Sequence, residues 1–286
     1  MKGWQKALVT TGAVGLGILA ARYGWFRRVR FPDHWRVQVL DNPEHPHPLA
    51  FVHLRQGHER LVIVAHGALQ SMNQPGIARL ARVLQERFDV ILFDFRGHGR
   101  SGGASDLNFL HAAEDLRRMI AYARQQGYRR IGLWGYSMGA AAALLAAAQG
   151  ETVEAIVCIC CPVKPSLRNT RSFAISTRPW GWLVRLMRTR LAPRLYWGEW
   201  PIEYVDKVAP APLLIVHHGL DTLVPREDSE TLFALARAPK DFLYLPWALH
   251  GQVMAAAMPA LAWLEAKMPL SQAERASRAE EKKGAR

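Results

Sequence analysis

The stretch IGLWGYSMGAAAALLAAAQ, residues 131–149, decides the fold class of this chain. An apolar strand-like segment, Ile131–Trp134, leads through Gly135-Tyr136-Ser137-Met138-Gly139 into an alanine- and leucine-rich helical segment. A serine on such a sharp strand-to-helix turn projects its hydroxyl above the sheet, beside the free N–H groups of the helix start. The stretch therefore predicts a nucleophilic Ser137 at the carboxyl end of a strand, the alternative being an ordinary glycine turn.

The same alternation of strand and helix continues on both sides of this turn. Continuous apolar strands alternating with amphipathic helices predict an α/β fold, a mostly parallel sheet with helices on both faces. Residues 34–54 predict an antiparallel pair at its edge. The other predicted strands are Leu61–His66, Val90–Phe93, Ile131–Trp134, Val153–Cys161, Leu213–His217 and Phe242–Leu245. Helices are predicted near 77–88, 111–126, 138–149, 227–237 and from Gln252, the last one kinked at Pro259.

Composition indicates one enzyme-sized domain. The chain has 286 residues, half of them hydrophobic and 21% charged, which excludes global disorder. We assign the folded domain to residues 31–268 and expect a charged, disordered tail at 269–286. Three cysteines, Cys158, Cys160 and Cys161, fall within one predicted strand. That spacing fits neither a disulfide framework nor a zinc site, so we predict buried thiols and no metal.

The net charge of +13 is concentrated in two segments. Residues 1–36 contain seven Lys/Arg and one Asp, and residues 162–211 contain nine Lys/Arg and three acids, so each carries +6. A localised positive charge of this kind indicates an anionic partner, with a membrane surface or nucleic acid as the two options.

The N-terminus favours the membrane. Ala7–Ala21 contains fifteen residues without a charge, preceded by two lysines and followed by an arginine cluster. A membrane anchor formed by residues 1–30 requires Arg22 to reach the interface. A cleaved signal peptide, which would mean export, and a core or interfacial helix are the alternatives. The positive charges that follow the run favour an anchored protein whose body lies on the cytoplasmic side.

Candidates for a general base and its orienting acid follow later strands. His250 comes after the last strand, and Asp221 comes just past the strand Leu213–His217. The chain order Ser137, Asp221, His250 is the one expected where such groups meet at the carboxyl ends of parallel strands. The alternatives are a turn-forming Asp221 and a helix-capping His250. Glu227 and Asp228 are competing acids, although capping of the next helix explains them.

A serine nucleophile also needs N–H donors for the oxyanion that forms during acyl transfer. The N–H of Met138 is one candidate, since it directly follows the serine. The second should come from the turn after Leu61–His66, where we choose the N–H of Ala68 and place Leu69 second. We predict that His66 braces this turn by hydrogen bonds and transfers no protons.

Taken together, these motifs resemble the α/β-hydrolase family over about residues 35–268. The resemblance rests on His66-Gly67, Asp94-Phe95-Arg96-Gly97-His98-Gly99-Arg100-Ser101, Gly135–Gly139, Gly219-Leu220-Asp221 and His250-Gly251. The second motif is similar to that of monoacylglycerol-lipase-like and serine-aminopeptidase-like (S33-type) members. The resemblance implies that 94–101 is a structural turn beside the site and that His98 is not catalytic. A serine nucleophile argues against the dehalogenase and epoxide-hydrolase branches, which use aspartate.

Family members with a large cap insert a long helical segment after the strand corresponding to Val153–Cys161. Here the corresponding segment, residues 162–211, is short, and we interpret it as a lid over Ser137. It contains Trp180, Trp182, Trp197 and Trp200. The alternative is a charged connection whose tryptophans are buried in the core. Single-stranded nucleic acid would also suit basic and aromatic residues, but the apolar N-terminus favours a membrane interface.

The sequence thus predicts a serine hydrolase that cleaves a carboxylic ester, thioester or amide through an acyl-enzyme, with no metal or cofactor. We expect a small-molecule or lipid ester substrate, a membrane surface as a partner and no nucleic acid. The rival hypotheses are an aminopeptidase-like serine peptidase and a non-catalytic scaffold of the same fold. The first needs an acidic pocket for an α-amine, and the second is disfavoured by the complete set of Ser137, Asp221 and His250.

Overall fold

The computed structural model describes residues 28–163, 188–192, 200–272 and 275 of the chain. Its centre is an eight-stranded sheet with the order β1-β2-β4-β3-β5-β6-β7-β8. Strands β3 to β8 are parallel to one another, and β2 pairs antiparallel with both β1 and β4. The strands are β1 (Val37–Leu40), β2 (Leu49–Leu54), β3 (Arg60–Ala65), β4 (Asp89–Phe93), β5 (Arg130–Tyr136), β6 (Ala155–Ile159), β7 (Leu213–His218) and β8 (Lys240–Leu245). The mostly parallel sheet and its antiparallel edge are as predicted.

Helices cover both faces of the sheet. They are α1 (Pro75–Leu84), α2 (Phe109–Gln125), α3 (Met138–Ala148), α4 (Arg226–Leu235) and α5 (Ala257–Lys267). Buried residues of α2, α3 and α4 form one core with alternate strand residues such as Ile63 and Ile91. Buried residues of α1 and α5 form the second core with the intervening residues, such as Val62 and Val90. Every residue of β3 and β4 is therefore buried, which explains why both strands are apolar after their first residues, Arg60 and Asp89.

The topology gathers the predicted site at one edge of the sheet. Four of the parallel strands, β3, β5, β7 and β8, lead at their carboxyl ends into the turns that carry Ala68, Ser137, Asp221 and His250. Strand β5 lies between β3 and β6 in the sheet, so the Ser137 turn is flanked on both sides by strand ends. Residues far apart in the sequence are thereby placed in one region.

Two elements differ from the prediction. Strand β6 ends at Ile159 rather than at Cys161, because Cys160 has a left-handed backbone conformation (φ +49°) that leaves the strand. The expected kink at Pro259 is absent, since a 3₁₀ turn, Val253–Ala256, precedes α5 and puts Pro259 in its first turn. N–H groups in the first turn of a helix have no intrahelical acceptor, so proline, which lacks an N–H, is tolerated there. The three cysteines are free and buried, as predicted.

The predicted membrane anchor and the localisation derived from it need correction. In the part of the chain that the structure describes, no helix is long and apolar enough to cross a membrane. The anchor predicted at residues 1–30 falls almost wholly outside the described residues. The physical difficulty is length: the uncharged run Ala7–Ala21 would rise only about 22 Å as a helix, against about 30 Å of hydrocarbon. The prediction of a membrane-anchored body was therefore wrong.

Most of the predicted lid, 162–211, and of the tail, 269–286, also lies outside the described residues, together with Trp180, Trp182 and Trp197. Trp200 is described, and it is buried in the core, where its ring packs edge-to-face on Phe109 with centroids 5.1 Å apart. For this tryptophan the alternative interpretation, a buried core residue, is the one that the structure shows.

Gly139 sets how closely α3 approaches the sheet. A Cβ added at this position would lie 2.5 Å from the carbonyl carbon of Ala65, at the end of β3. The backbone of Ala65 is fixed in the sheet, so the helix would have to move away. The small residue at Gly139 is therefore what allows the helix start to sit directly above β3 and next to Ser137.

We expect Gly139→Ala to lower the free energy of unfolding by about 2 kcal/mol through overpacking, although alanine normally stabilises a helix interior. Urea denaturation measures the difference. The control is Gly57→Ala, where φ is +85° but no atom lies within 4 Å of an added Cβ; it should lose about 1 kcal/mol from backbone strain alone. A Gly139→Ala protein as stable as the wild type would contradict this view of the helix contact.

Candidate active site

Ser137 occupies a strained turn between β5 and α3. Its backbone angles are φ 52° and ψ −114°, a conformation that costs a non-glycine residue about 1–3 kcal/mol. Its N–H donates to the carbonyl of Ile159 at 2.8 Å, and its own carbonyl accepts from Ala140 and Ala141 at 3.0 and 3.1 Å. The backbone of Ser137 is thus tied to the end of β6 on one side and to the first turn of α3 on the other.

Asp221 and His250 form a buried hydrogen-bonded pair. The Nδ1 of His250 lies 2.6 Å from Oδ2 of Asp221, and their side chains are 10% and 0% exposed. The second carboxylate oxygen, Oδ1, accepts the N–H groups of Leu223 and Val224 at 2.8 Å each. Burial acts to raise the pKa of Asp221, but the interactions with His250 and with these two N–H groups outweigh it and hold the pKa below its usual value. The carboxylate therefore stays ionised and orients the imidazole.

The competing acids lie elsewhere. Asp228 accepts the N–H of Val163 at 3.2 Å and sits in the first turn of α4, as does Glu227. Asp221 is the acid that accepts the hydrogen bond from Nδ1 of His250, so the structure brings together the pair that chain order predicted.

Tyr136 links the serine turn to the histidine loop. Its hydroxyl accepts the N–H of Gly251, and its ring lies edge-to-face on that of His250 with centroids 5.4 Å apart. Since Tyr136 is the residue before Ser137, this contact fixes the position of the His250 loop relative to the nucleophile.

The turn after β3 lies directly against Ser137. A Cβ added at Gly67 would be 3.3 Å from the Cβ of Ser137. The N–H of Leu69 is already engaged, since it donates to Nε2 of His98 at 3.3 Å. Among the described residues the N–H of Ala68 donates to none. Met138 is the first residue of α3, where N–H groups have no intrahelical acceptor. Ala68 and Met138 therefore have N–H groups available to a ligand, whereas Leu69 does not.

Two buried histidines and an aspartate hold this turn in place. Asp94 accepts the N–H groups of Met72 and Arg100 at 2.7 and 2.8 Å. His66 accepts the N–H of Phe95 through Nε2 at 3.2 Å. Burial lowers the pKa of His66 to about 4 and that of His98 to about 3, so both rings are neutral at neutral pH. Their contacts brace the loop, as expected from the sequence.

Cys160 also lies beside the pair of Asp221 and His250, which nothing in the sequence had indicated. Its Sγ, a carboxylate oxygen of Asp221 and a ring nitrogen of His250 all lie within 4.8 Å of one another. These three atom types suit a transition metal, but the 2.6 Å hydrogen bond between His250 and Asp221 already joins two of them. The strand prediction placed Cys160 in a continuous β6, and the positive φ that turns it towards Asp221 has no signature in the residue type.

Comparison with known proteins agrees with this architecture. Residues 60–184 match the family described as the alpha/beta hydrolase fold. The esterase Pf2001 of Pyrococcus furiosus superposes with a TM-score of 0.67 at 18% identity, covering 84% of this chain and 96% of that one. The chain therefore has the α/β-hydrolase fold.

Curated relatives are similar over part of their length. The uncharacterised protein YfhR of Escherichia coli O157:H7 is 29% identical over 194 residues, which cover 66% of this chain. The thiohydrolase apmlB of Arthrinium phaeospermum is 39% identical over 76 residues, a quarter of each protein. The matched region spans about 62% of the length of YfhR.

The two neutral histidines make stability depend on pH. The unfolded chain takes up protons on these histidines near the ordinary pKa of 6.5, whereas the folded chain does so only near 4 or 3. Protons therefore bind the unfolded state preferentially in this window, and stability rises with pH. We expect the free energy of unfolding to fall as the pH is lowered from 6.5 towards 4, by up to about 1.4 kcal/mol per pH unit for each such group.

Urea midpoints measured across this range test the expectation. A His98→Gln variant removes one of the two groups and should show a shallower decline than the wild type. The same substitution at the exposed His45 is the matched control and should leave the slope unchanged. Equal slopes in His98→Gln and the wild type would mean that His98 is not buried in a neutral form.

Proposed function

We propose that this chain, which has the α/β-hydrolase fold, is a serine hydrolase that cleaves carboxylic esters or thioesters through an acyl-enzyme. The observation that carries the proposal is the 2.6 Å hydrogen bond from the ring of His250 to the ionised Asp221, beside a serine in a strained strand-to-helix turn. A hydroxyl is a poor nucleophile until a base takes its proton, and an oriented imidazole is the usual base.

In this mechanism the Oγ of Ser137 attacks the carbonyl carbon of the substrate, and His250 takes its proton on Nε2. Nδ1 keeps its proton because Asp221 accepts it, and the carboxylate stabilises the imidazolium that forms. His250 then gives the proton to the leaving group. Water hydrolyses the acyl-enzyme by the same steps, with His250 now activating the water.

The N–H groups of Met138 and Ala68 are assigned to the oxyanion. Among the described residues the N–H of Ala68 donates to none, and Met138 begins α3, where an N–H has no intrahelical acceptor. The turn that carries Ala68 lies against Ser137. One such donor is worth about 3 kcal/mol of transition-state stabilisation. The N–H of Leu69 already donates to Nε2 of His98, so it holds the loop and is not assigned to the oxyanion.

The rim of the site favours an apolar acyl group. Leu220 and Trp247 are 51% and 58% exposed, and they adjoin the loops of Asp221 and His250. These loops are held together by the hydrogen bond from the N–H of Leu220 to the carbonyl of Ala248 at 2.9 Å. An exposed leucine and tryptophan offer apolar surface to an acyl chain, and neither supplies the acidic group that a substrate α-amine needs, which supports an esterase over the aminopeptidase-like alternative. The partial similarity to a thiohydrolase supports including thioesters.

The nucleophile can be tested by covalent labelling. We expect a fluorophosphonate probe to label the wild-type protein at one serine, and Ser137→Ala to abolish both labelling and p-nitrophenyl ester hydrolysis, with turnover reduced at least about 10⁴-fold. The matched control is Ser229→Ala, because Ser229 also contacts a histidine, His217, at 3.0 Å but is buried away from the turn. Labelling retained in Ser137→Ala, or absent from the folded wild type, would remove the proposed nucleophile and favour a scaffold.

Substitutions of His250 and Asp221 should lower kcat to different extents. His250→Ala should lower kcat about as much as Ser137→Ala, since nucleophile and base act as a unit, and Asp221→Asn should lower it less. Rates on p-nitrophenyl esters of increasing chain length, on an acyl thioester and on aminoacyl anilides assign the substrate class. Faster cleavage of the anilides than of the esters would favour the peptidase. A fully active Asp221→Asn would move the orienting role to another acid.

A further inference from the structure

Cys160 occupies an unusual position next to the proposed triad. It follows the last residue of β6, and its N–H donates to the carbonyl of Val216 in β7 at 2.9 Å. Its φ of +49° lies in the left-handed region, which a non-glycine residue adopts only when its surroundings hold it there. This conformation turns the side chain out of the strand, towards the carboxyl edge of the sheet. The side chain is fully buried there.

The thiol faces the acid of the triad. Sγ of Cys160 and the carboxylate of Asp221 lie within 4.8 Å, together with a ring nitrogen of His250. Burial raises the pKa of Cys160 well above its usual value, and the nearby charge and hydrogen bond of Asp221 raise it further. Cys160 is therefore a protonated thiol, and a carboxylate can only accept from it.

The hydroxyl of Tyr136 completes the connection. It accepts the N–H of Gly251, so its own proton is free to be donated elsewhere. Burial raises the pKa of Tyr136, and a hydrogen bond to Cys160 contributes in the same direction, as expected when the tyrosine is the donor. The hydroxyl of Tyr136 can thus donate to the thiol of Cys160, and the thiol to Asp221, in the same direction as the bond from Gly251 to Tyr136.

We propose that Cys160 is a positioning residue, whose S–H donates to the Asp221 carboxylate and, with Tyr136, forms a buried relay that ties the acid to the loop of His250. The inference deepens the proposed function and rests on it. The relay connects three strand ends, those of β5, β6 and β7, and returns to the histidine loop through Gly251. The relay holds Asp221 in one orientation. The S–H donor also reduces the negative charge that the carboxylate presents to the imidazole of His250.

The other titratable groups near Asp221 and His250 are engaged elsewhere, so they do not compete with Cys160 for the carboxylate of Asp221. Burial lowers the pKa of His218 to about 4, so it is neutral above that pH, and its Nδ1 is bonded to the carbonyl of Leu249 at 2.9 Å. His217 contacts Ser229, and the charges nearest to it besides Asp221 are those of Arg226, Glu227 and Glu230 on α4. Besides its 2.6 Å hydrogen bond with His250, the carboxylate of Asp221 has the Sγ of Cys160 within 4.8 Å.

The two neighbouring cysteines provide matched controls. Cys161 is equally buried, but its Sγ donates to the carbonyl of Pro162 at 3.6 Å and its thiol contacts Cys158 rather than Asp221. Cys158 and Cys161 belong to the core under α2 and α3, whereas Cys160 belongs to the opposite core. Cys161→Ala therefore removes a buried thiol of the same size without touching the relay.

Steady-state kinetics on a p-nitrophenyl ester test the proposal. Cys160→Ala should lower kcat about tenfold with little change in KM, the effect of one hydrogen bond to a charged group. The acidic limb of the kcat/KM profile should move to higher pH, because the carboxylate regains the charge that the thiol had drawn away. Cys160→Ser retains a donor and should restore both values, and Cys161→Ala should match the wild type in both.

Tyr136→Phe tests the second link of the relay. It should lower kcat in the same way, and combining it with Cys160→Ala should cost less than the product of the single effects, since both act through one chain. Multiplicative losses would show two independent packing defects. Thermal unfolding of each variant identifies any loss of kcat that comes from a smaller folded fraction.

An NMR measurement separates this proposal from the proposed function. In Cys160→Ala the proton on Nδ1 of His250 should move downfield, because Asp221 becomes a stronger acceptor, and Cys160→Ser should reverse the change. This readout does not require turnover. If the wild type hydrolyses no ester, the proposed function fails while the NMR test stands. An unchanged Nδ1 resonance and kcat in Cys160→Ala, or the same loss in Cys161→Ala, would overturn the relay.

Discussion

The close approach of α3 to β3 at Gly139 is the constraint on which the rest of the site depends. It brings the start of a helix against the backbone of Ala65 and leaves Ser137 in a turn that ordinary residues avoid. The same approach places the turn after β3 beside the serine. Strain at Ser137 is maintained because its N–H and its carbonyl are both bonded to rigid neighbours.

The buried polar groups around this turn fall into two sets with different roles. Asp94, His66 and His98 satisfy backbone N–H groups of the loop and have no path to a reacting atom that the structure shows. The ionised Asp221 and His250 form a hydrogen-bonded pair that contacts the serine turn through Tyr136. Neutral histidines thus hold the turn after β3 on one side of Ser137, and the ionised carboxylate of Asp221 lies on the other side. This separation is what the proposed mechanism requires, since it places the proposed oxyanion donors and the proposed base on different sides of the serine.

Much of this arrangement follows from the sequence. Apolar strands alternating with amphipathic helices predicted the sheet, and the position of Asp221 and His250 after the last strands predicted their pairing, because side chains at the carboxyl ends of parallel strands meet. Local backbone geometry was less accessible. The positive φ of Cys160 shortens β6 and aims a thiol at Asp221, and neither effect has a compositional signal. The apolar run near the N-terminus was over-interpreted, since its length falls short of a bilayer.

The hydrogen bond between Gly251 and Tyr136 joins residues 115 positions apart, and that between Asp221 and His250 spans 29. Closing such long loops costs conformational entropy that must be offset by the contacts formed within them. Residues 136 and 251 can meet only when β5 and β8, which β6 and β7 separate, already lie in one sheet. The chemistry of the site is therefore coupled to completion of the whole sheet. A nascent or partly folded chain would have Ser137 in place before the proposed base, His250, was paired with Asp221.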